Sequence, residues 1–316
     1  MLPSTVGRLL VFSIAILAFA WPQSGLGDEA GAENAPQVSI VPRAPLNSSA
    51  PKPHAIRLDV RVVQIPVTVT DTWDRPIPGL RKDDFQLFED NVEQRIIYLS
   101  TDEAPASVGL IFDTSGSMRD KIETSVDAVE QFFKTSLPGD EFLLVRFSDR
   151  PLLLTGFTDD TSEISGWLHA SRPGGWTALH DAIYLGVHKM KGAKNARRAL
   201  LILSDGGDNN SRYTAPEIRE LVREADVRVY AISLLTGSHF LERISEESGG
   251  RMIRVHKLPD LPDAIAKLSR DLRSQYVLGY YPSNPQNDGR YRRVRVQVNQ
   301  PTVHATWRRG YYAPAE

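Results

Sequence analysis

Cysteine is missing from all 316 residues of the chain. Its absence excludes disulfides, thiolate metal sites, iron–sulfur clusters and cysteine-based catalysis. An excess of positive charge is missing as well, because 37 Lys and Arg residues stand against 39 Asp and Glu residues and give a net charge of −2. A nucleic-acid backbone attracts proteins that carry a positive field, so we expect no DNA or RNA binding.

Long apolar runs are scarce. Residues 9–21 form one such run, which follows Arg8 and is broken only by Ser13. A bilayer core needs about 20 apolar residues, whereas a shorter run of this kind suits the apolar region of a secretory signal. We expect residues 1–27 to be a signal peptide, with a mature chain that begins near Trp21 or Asp28 and an uncleaved signal anchor as the alternative. The expected location is periplasmic or secreted, with no stable membrane span after the signal is removed.

The two ends of the remaining chain show the pattern of β-structure. Residues 28–55 are rich in Ala, Pro, Ser, Asn and Glu without a sustained period, which predicts a flexible linker. Residues 56–104 begin with apolar and polar residues in alternation and predict a small β unit. Residues 276–316 return to this pattern. Neither part has enough strands to bury its own apolar face, so we expect the two to pair in one small β-sandwich.

Residues 105–275 have a different rhythm. The apolar run at 108–112 is short and continuous, as in a strand that is buried on both faces of a parallel sheet. Apolar residues at 122, 126, 129 and 133 then recur at helical spacing. Strands and helices alternate in this way over the whole segment, which predicts an α/β fold with a doubly wound, mostly parallel sheet, inserted in the small β-sandwich.

Polar residues follow the predicted strands at the edge where such sheets bind ligands. Asp113, Ser115 and Ser117 follow the strand at 108–112. Thr177 precedes a helix in a Gly-rich loop, and Asp205 follows the strand at 199–203. Two carboxylates and three hydroxyls offer oxygen ligands to a hard divalent cation such as Mg²⁺. Alone, Asp113 with Ser115 and Ser117 is also compatible with a simple helix cap.

The order and spacing of these five residues resemble the metal-ion-dependent adhesion site of the von Willebrand factor A domain. The resemblance implies that Ser115, Ser117 and Thr177 contact the metal, while Asp113 and Asp205 hold it directly or through water. It also implies that an acidic side chain of a protein partner completes the coordination. Mg²⁺ is the expected cofactor, with Mn²⁺ or Ca²⁺ as alternatives.

The resemblance extends beyond this domain, over about residues 56–314. The segments 79–90 and 272–282 are similar to bacterial exported proteins classed as von Willebrand factor A-related, which are well represented in acidobacteria. The expected function is non-enzymatic binding or adhesion to a partner with an exposed Asp or Glu. The alternative is a metal-dependent hydrolase or phosphatase with Asp113 as nucleophile. Trp176, beside Thr177, is either a packing residue or a contact for the partner.

Overall fold

The computed structural model describes residues 61–101 and 103–315, which lie in one compact unit. The expected signal peptide, the linker and residues 56–60 of the N-terminal β unit lie outside the described residues. The strands are β1 (Val63–Thr70), β2 (Phe85–Glu89), β3 (Val92–Gln94), β4 (Ile96–Ser100), β5 (Ala106–Asp113), β6 (Glu141–Phe147), β7 (Pro151–Thr158), β8 (Arg197–Ser204), β9 (Arg228–Leu234), β10 (Met252–Val255), β11 (Tyr276–Tyr280), β12 (Tyr291–Val298), β13 (His304–Trp307) and β14 (Gly310–Tyr312). The helices are α1 (Ile122–Phe133), α2 (Thr161–Ala170), α3 (Leu179–Met190), α4 (Ala215–Glu224), α5 (His239–Ser248) and α6 (Leu261–Arg273).

The central sheet has six strands in the order β10-β9-β8-β5-β6-β7. Its strands are parallel except for the edge strand β7, which pairs antiparallel with β6. Every residue of β5 is buried, as expected for a strand in the middle of a sheet that is covered on both faces. The predicted α/β fold with a mostly parallel sheet is therefore confirmed.

Six helices cover the two faces of this sheet. The apolar stripes of α1, α2 and α6 pack on one face, with Val129, Leu168 and Leu268 among the buried residues. Those of α3, α4 and α5 pack on the other. Local sequence fixes where some of these helices begin: Thr214 and Glu217 form a reciprocal capping box at the start of α4.

The remaining strands form two four-stranded sheets, and each sheet takes strands from both ends of the described chain. Their orders are β13-β1-β11-β4 and β14-β12-β2-β3. Apolar side chains from both sheets form one shared core, in which Val67, Leu87 and Leu278 are fully buried. The two sheets therefore form the β-sandwich that the sequence predicted, with the α/β segment inserted between β4 and β11.

An ionic contact links the sandwich to the α/β segment. Arg251 lies 2.8 Å from a carboxylate oxygen of Asp74, in the turn after β1, and 2.8 Å from one of Asp271, in α6. Burial raises the pKa of Asp271 to about 6, although the charge of Arg251 opposes this shift.

In the part of the chain that the structure describes, no helix is both long and apolar enough to cross a membrane.

Candidate metal site

The site lies where the chain reverses its direction of travel through the central sheet. From β5 the chain moves outward to β6 and β7, and it then returns to form β8 on the other side of β5. The segment after β5 leads to α1 on one face, whereas the segment after β8 leads to α4 on the opposite face. A cleft opens at such a point between neighbouring carboxyl ends, and ligands of doubly wound sheets bind there.

Asp113 is the last residue of β5 and is fully buried. Its Oδ1 accepts a hydrogen bond from Ser115 N at 2.8 Å, and its Oδ2 accepts one from Ser204 Oγ at 2.6 Å. Burial raises the pKa of Asp113 above its ordinary value, the hydrogen bonds from Ser204 and Ser115 oppose this, and the negative charge of Asp205 adds to it. Asp113 is thus an oriented carboxylate whose charge has little local compensation.

The two serines lie on the turn that follows β5. Residues Gly116–Met118 form one turn of 3-10 helix, and the side chain of Met118 is fully buried beneath it. This anchor holds Ser115 Oγ and Ser117 Oγ 3.1 Å apart. Ser115 is buried, whereas Ser117 is exposed. The turn therefore presents two neighbouring hydroxyl groups next to Asp113.

Thr177 reaches the same edge on the loop that precedes α3. Backbone hydrogen bonds tie this loop to the turn after β5, from Gly174 N to Thr114 O at 2.8 Å and from Gly116 N to Gly175 O at 3.0 Å. Asn209 holds the backbone of Thr177 through two hydrogen bonds. Thr177 N donates to Asn209 Oδ1 at 2.8 Å, and Asn209 N donates to Thr177 O at 3.0 Å. The backbone of Thr177 is therefore fixed from two sides.

The tip of this loop rests on the β6–β7 turn. Gly175 has a φ of +79°, and a Cβ at this position would lie 2.5 Å from the carboxylate of Asp149. Only glycine allows that approach. Asp149 Oδ1 in turn accepts a hydrogen bond from Trp176 N at 2.7 Å. The side chain of Trp176 is 64% exposed, so it does not pack in the interior, the first of the two roles that the sequence left open.

Asp205 follows β8 and meets a lysine that the sequence analysis did not select. Lys121 Nζ donates to Asp205 Oδ2 at 3.1 Å and to Ser117 O at 2.6 Å. The hydroxyl of Thr236, which lies beyond the end of β9, donates to Asp205 O. The loops that carry all five predicted residues thus meet at one edge of the sheet.

The donor set is compatible with a hard divalent cation. It combines two carboxylates with three hydroxyls, and oxygen is the atom that Mg²⁺, Mn²⁺ and Ca²⁺ bind in proteins. The ammonium group of Lys121 at Asp205 shows that this cluster of oxygens already attracts a cation. Among the described residues no group of three or more His, Cys, Asp or Glu side chains is arranged to hold a metal. A site here therefore depends on the hydroxyl groups.

Three further residues around the site were not selected in the sequence analysis. Ser204 orients Asp113, Asn209 fixes Thr177, and Lys121 pairs with Asp205. Ser204 precedes Asp205 at a strand end, and this position was a usable signal. The contact of Lys121 had none, because a lysine before a helix is ordinarily a solvated residue.

Comparison with known proteins was consistent with this geometry. Residues 108–207 match the family model of the von Willebrand factor type A domain. A curated relative, inter-alpha-trypsin inhibitor heavy chain H4 of Bos taurus, is 27% identical over 202 residues, which cover 57% of this chain and 22% of the relative. The chain thus spans about a fifth of that protein's length.

Solved structures were also found to be similar to this chain. Proximal thread matrix protein 1 from the mussel byssus, described with a zinc-occupied MIDAS motif, has a TM-score of 0.50 at 18% identity and covers 58% of this chain and 49% of its own. A von Willebrand factor type A protein from Catenulispora acidiphila has a TM-score of 0.49 at 14% identity, with 73% of each chain covered. The segment matched by the family model includes Asp113, Ser115, Ser117, Thr177 and Asp205. Residues 108–207 are therefore similar to the von Willebrand factor type A domain, and all five residues lie within that segment.

Proposed function

We propose that this protein is an exported, non-enzymatic binding or adhesion protein that captures an acidic group of a protein partner through a divalent cation. Asp113, Ser115, Ser117, Thr177 and Asp205 would hold the cation. One observation carries the proposal. The buried and oriented carboxylate of Asp113 lies near a second carboxylate, Asp205, and near the loops of three hydroxyl residues, at the point where the chain reverses its direction through the sheet. The zinc-occupied motif of the mussel protein is further support.

The balance of charge explains why such a site would accept an acidic group. The two carboxylates offset a divalent charge only when both are ionised, and the three hydroxyls are neutral. A cation bound there supplies an electrophilic centre for an incoming carboxylate. Charged hydrogen-bonding partners in desolvated interfaces contribute more to binding than rim contacts do, so we expect an Asp or Glu of the partner to dominate affinity.

In addition to the cation, we propose Trp176 as a contact for the partner. Its backbone is fixed by Asp149 while its indole is 64% exposed. A large aromatic side chain on a fixed backbone loses little conformational entropy on binding, which is why tryptophan is common at interfaces.

The enzymatic alternative is less compatible with the geometry. A nucleophilic carboxylate must present one oxygen to the substrate. Asp113 is fully buried, and each of its oxygens already accepts a hydrogen bond, from Ser115 N and from Ser204 Oγ. Such an arrangement suits a carboxylate that would hold a cation, and it leaves the carboxylate poorly exposed for attack on phosphorus or carbon.

Export is the second part of the proposal and rests on Arg8 and the apolar run at 9–21. Mass spectrometry of the envelope and secreted fractions of the producing cell should find a mature chain that begins near Trp21 or Asp28. An intact Met1 terminus on cytoplasmic protein would contradict export.

Cation binding is tested with the full chain by calorimetry, using Mg²⁺, Mn²⁺ and Ca²⁺ in turn. We expect binding of one ion by the wild type and no measurable binding by the double variant Asp113→Ala, Asp205→Ala. The matched control is Asp120→Ala, Asp127→Ala, which removes two exposed carboxylates near the same turn and should bind like the wild type. Equal binding by the wild type and the Asp113, Asp205 variant would place the cation elsewhere.

The partner is sought by affinity capture from the producing cell's envelope, with and without chelator. We expect a captured protein to be released by EDTA, to rebind when excess Mg²⁺ is added, and to lose binding when one of its exposed acidic residues is neutralised. Capture that is unchanged in EDTA would mean that the interaction surface does not include the cation.

A further inference from the structure

Lys121 brings a positive charge into the candidate metal site. It immediately precedes α1, and its Nζ lies 3.1 Å from Asp205 Oδ2 and 2.6 Å from Ser117 O. The side chains of Lys121 and Asp205 are only 13% and 12% exposed. Solvent and salt therefore screen this ion pair far less than they screen pairs on the open surface. Both partners of the ammonium group belong to residues that we propose to hold the cation.

The ammonium group offsets a concentration of negative charge. Asp205 lies close enough to Asp113 for its charge to disfavour ionisation of Asp113. Among the ion pairs of the described residues, only the pair of Lys121 with Asp205 involves Asp113 or Asp205. Lys121 therefore supplies positive charge at the position where a divalent cation would supply it.

We propose that Lys121 is a tethered competitor of the divalent cation at Asp205 and thereby sets the cation affinity of the site; this inference rests on the proposed function. Two positive charges that share one carboxylate repel each other strongly where water is largely excluded. Lysine carries a compact charge on a flexible four-carbon stem, so its ammonium group can leave Asp205 and reach water. Cation binding is then weakened by the free energy of the Lys121–Asp205 pair.

This competition has two linked consequences. With Lys121 in place, the fold needs no cation to tolerate its two neighbouring carboxylates. The site also loads according to the surrounding cation concentration, because part of the binding free energy is used to displace the ammonium group. Removing the charge of Lys121 should reverse both properties: the protein becomes less stable in chelator, and it binds the cation more tightly.

The test compares full-chain variants by calorimetry with Mn²⁺ and with Mg²⁺ as the added ions. We expect Lys121→Met to bind either ion about 10- to 100-fold more tightly than the wild type, the range by which groups just outside a coordination sphere change metal affinity. Lys121→Gln should tighten binding in the same direction, and Lys121→Arg should not. Arg119→Met is the matched control, since it removes an exposed positive charge two residues away and should stay within about threefold of the wild type.

Thermal unfolding provides a second measurement on the same proteins. In EDTA, Lys121→Met should unfold at a lower temperature than the wild type, and saturating Mn²⁺ should raise its unfolding temperature by more than it raises that of the wild type. Arg119→Met should show neither difference. Lys121→Gln, which keeps a hydrogen-bond donor at this position, serves for both measurements if Lys121→Met does not fold in chelator.

The outcomes separate this inference from the proposed function. Equal or weaker cation binding by both uncharged variants, beside a wild type that binds one ion through Asp113 and Asp205, would overturn the role of Lys121 and leave the proposed function standing. Absence of cation binding in the wild type and in every Lys121 variant would overturn the proposed function and this inference with it.

Discussion

Buried carboxylates lie where the parallel strands of the central sheet begin, here called the amino edge, and where they end, the carboxyl edge. Only the carboxylate at the amino edge has its charge fully neutralised. At the amino edge, Asp140 accepts hydrogen bonds from Ala106 N and Leu137 N, each at 2.7 Å, and from both terminal nitrogens of Arg273 at 3.1 and 2.6 Å. At the carboxyl edge, Asp113 has two neutral donors, and the charge of its neighbour Asp205 adds to its negative field.

We interpret this difference as one between a structural carboxylate, Asp140, and a carboxylate that is available for the proposed binding, Asp113. Asp140 joins the starts of β5 and β6 to the end of α6, and a bidentate guanidinium completes its charge balance. Asp113 is buried as Asp140 is, but it has no such partner. A carboxylate that is oriented and buried without a matching charge retains its capacity to attract a cation.

The largest effect that tests this comparison is expected from Asp140→Ala. Removing one member of a buried ion pair leaves the other charge unpaired, so the free energy of unfolding should fall by about 3–5 kcal/mol. Urea denaturation of the full chain in EDTA measures this loss. Asp205→Ala is the contrasting variant, and it should cost clearly less than Asp140→Ala, since Lys121 can turn to water and the repulsion of Asp113 is relieved. Equal losses in the two variants would mean that the two edges do not differ in this way.

Asp271 offers an intermediate case, because it has an ion pair with Arg251 while its Oδ1 has no hydrogen-bond partner. Its pKa is raised from 3.8 to about 6, mainly by burial. The folded state therefore holds this proton more tightly than the unfolded state does. The stability that results is fully present below about pH 4 and is lost as the pH rises through about 6.

The matching experiment measures the free energy of unfolding of the wild type and of Asp271→Asn between pH 4 and pH 7.5. Two pKa units correspond to about 3 kcal/mol, so the wild type should lose up to about that much relative to the variant over this range. Subtracting the variant removes the contributions of the other carboxyl groups. A difference that is constant with pH, or that grows in favour of the wild type as the pH rises, would contradict the raised pKa.

A smaller effect is expected from Thr177→Ala. The variant removes one proposed hydroxyl ligand but keeps the backbone contacts with Asn209, so the fold should be unchanged while the affinity for Mn²⁺ falls about 10- to 100-fold. Calorimetry gives the affinity, and circular dichroism monitors the fold. Trp176→Ala changes the neighbouring exposed residue and should bind Mn²⁺ like the wild type. Unchanged affinity in Thr177→Ala would remove Thr177 from the proposed ligands.

Sequence patterns predicted this fold well where burial sets the period. The alternating pattern predicted within residues 276–316 is observed in β12, where every second residue from Arg292 to Val296 is buried between exposed ones. The order of the strands within the sandwich was beyond such reasoning. It depends on contacts between residues near 65 and near 280 or 305, and no local pattern records which distant strand becomes the neighbour.

The same limit explains what was found and what was missed at the site. Asp113 and Asp205 were recognisable in the sequence because each lies at the end of an apolar strand, and parallel strands place their carboxyl ends at the same side of the sheet. Lys121 was not, since its role arises only when the turn after β5 is folded beside the segment after β8. Residues that act through partners distant in the sequence need the fold before their role can be recognised.

The position of β1 within its sheet has a mechanical consequence. This strand lies between β13 and β11 and is antiparallel to both. Hydrogen bonds in antiparallel ladders run perpendicular to the strands, so a pull along β1 loads the bonds of both ladders together in shear, whereas an edge strand has only one ladder to resist the pull. Tension applied through the chain that precedes Arg61 would therefore enter the fold at a strand that resists it on both sides.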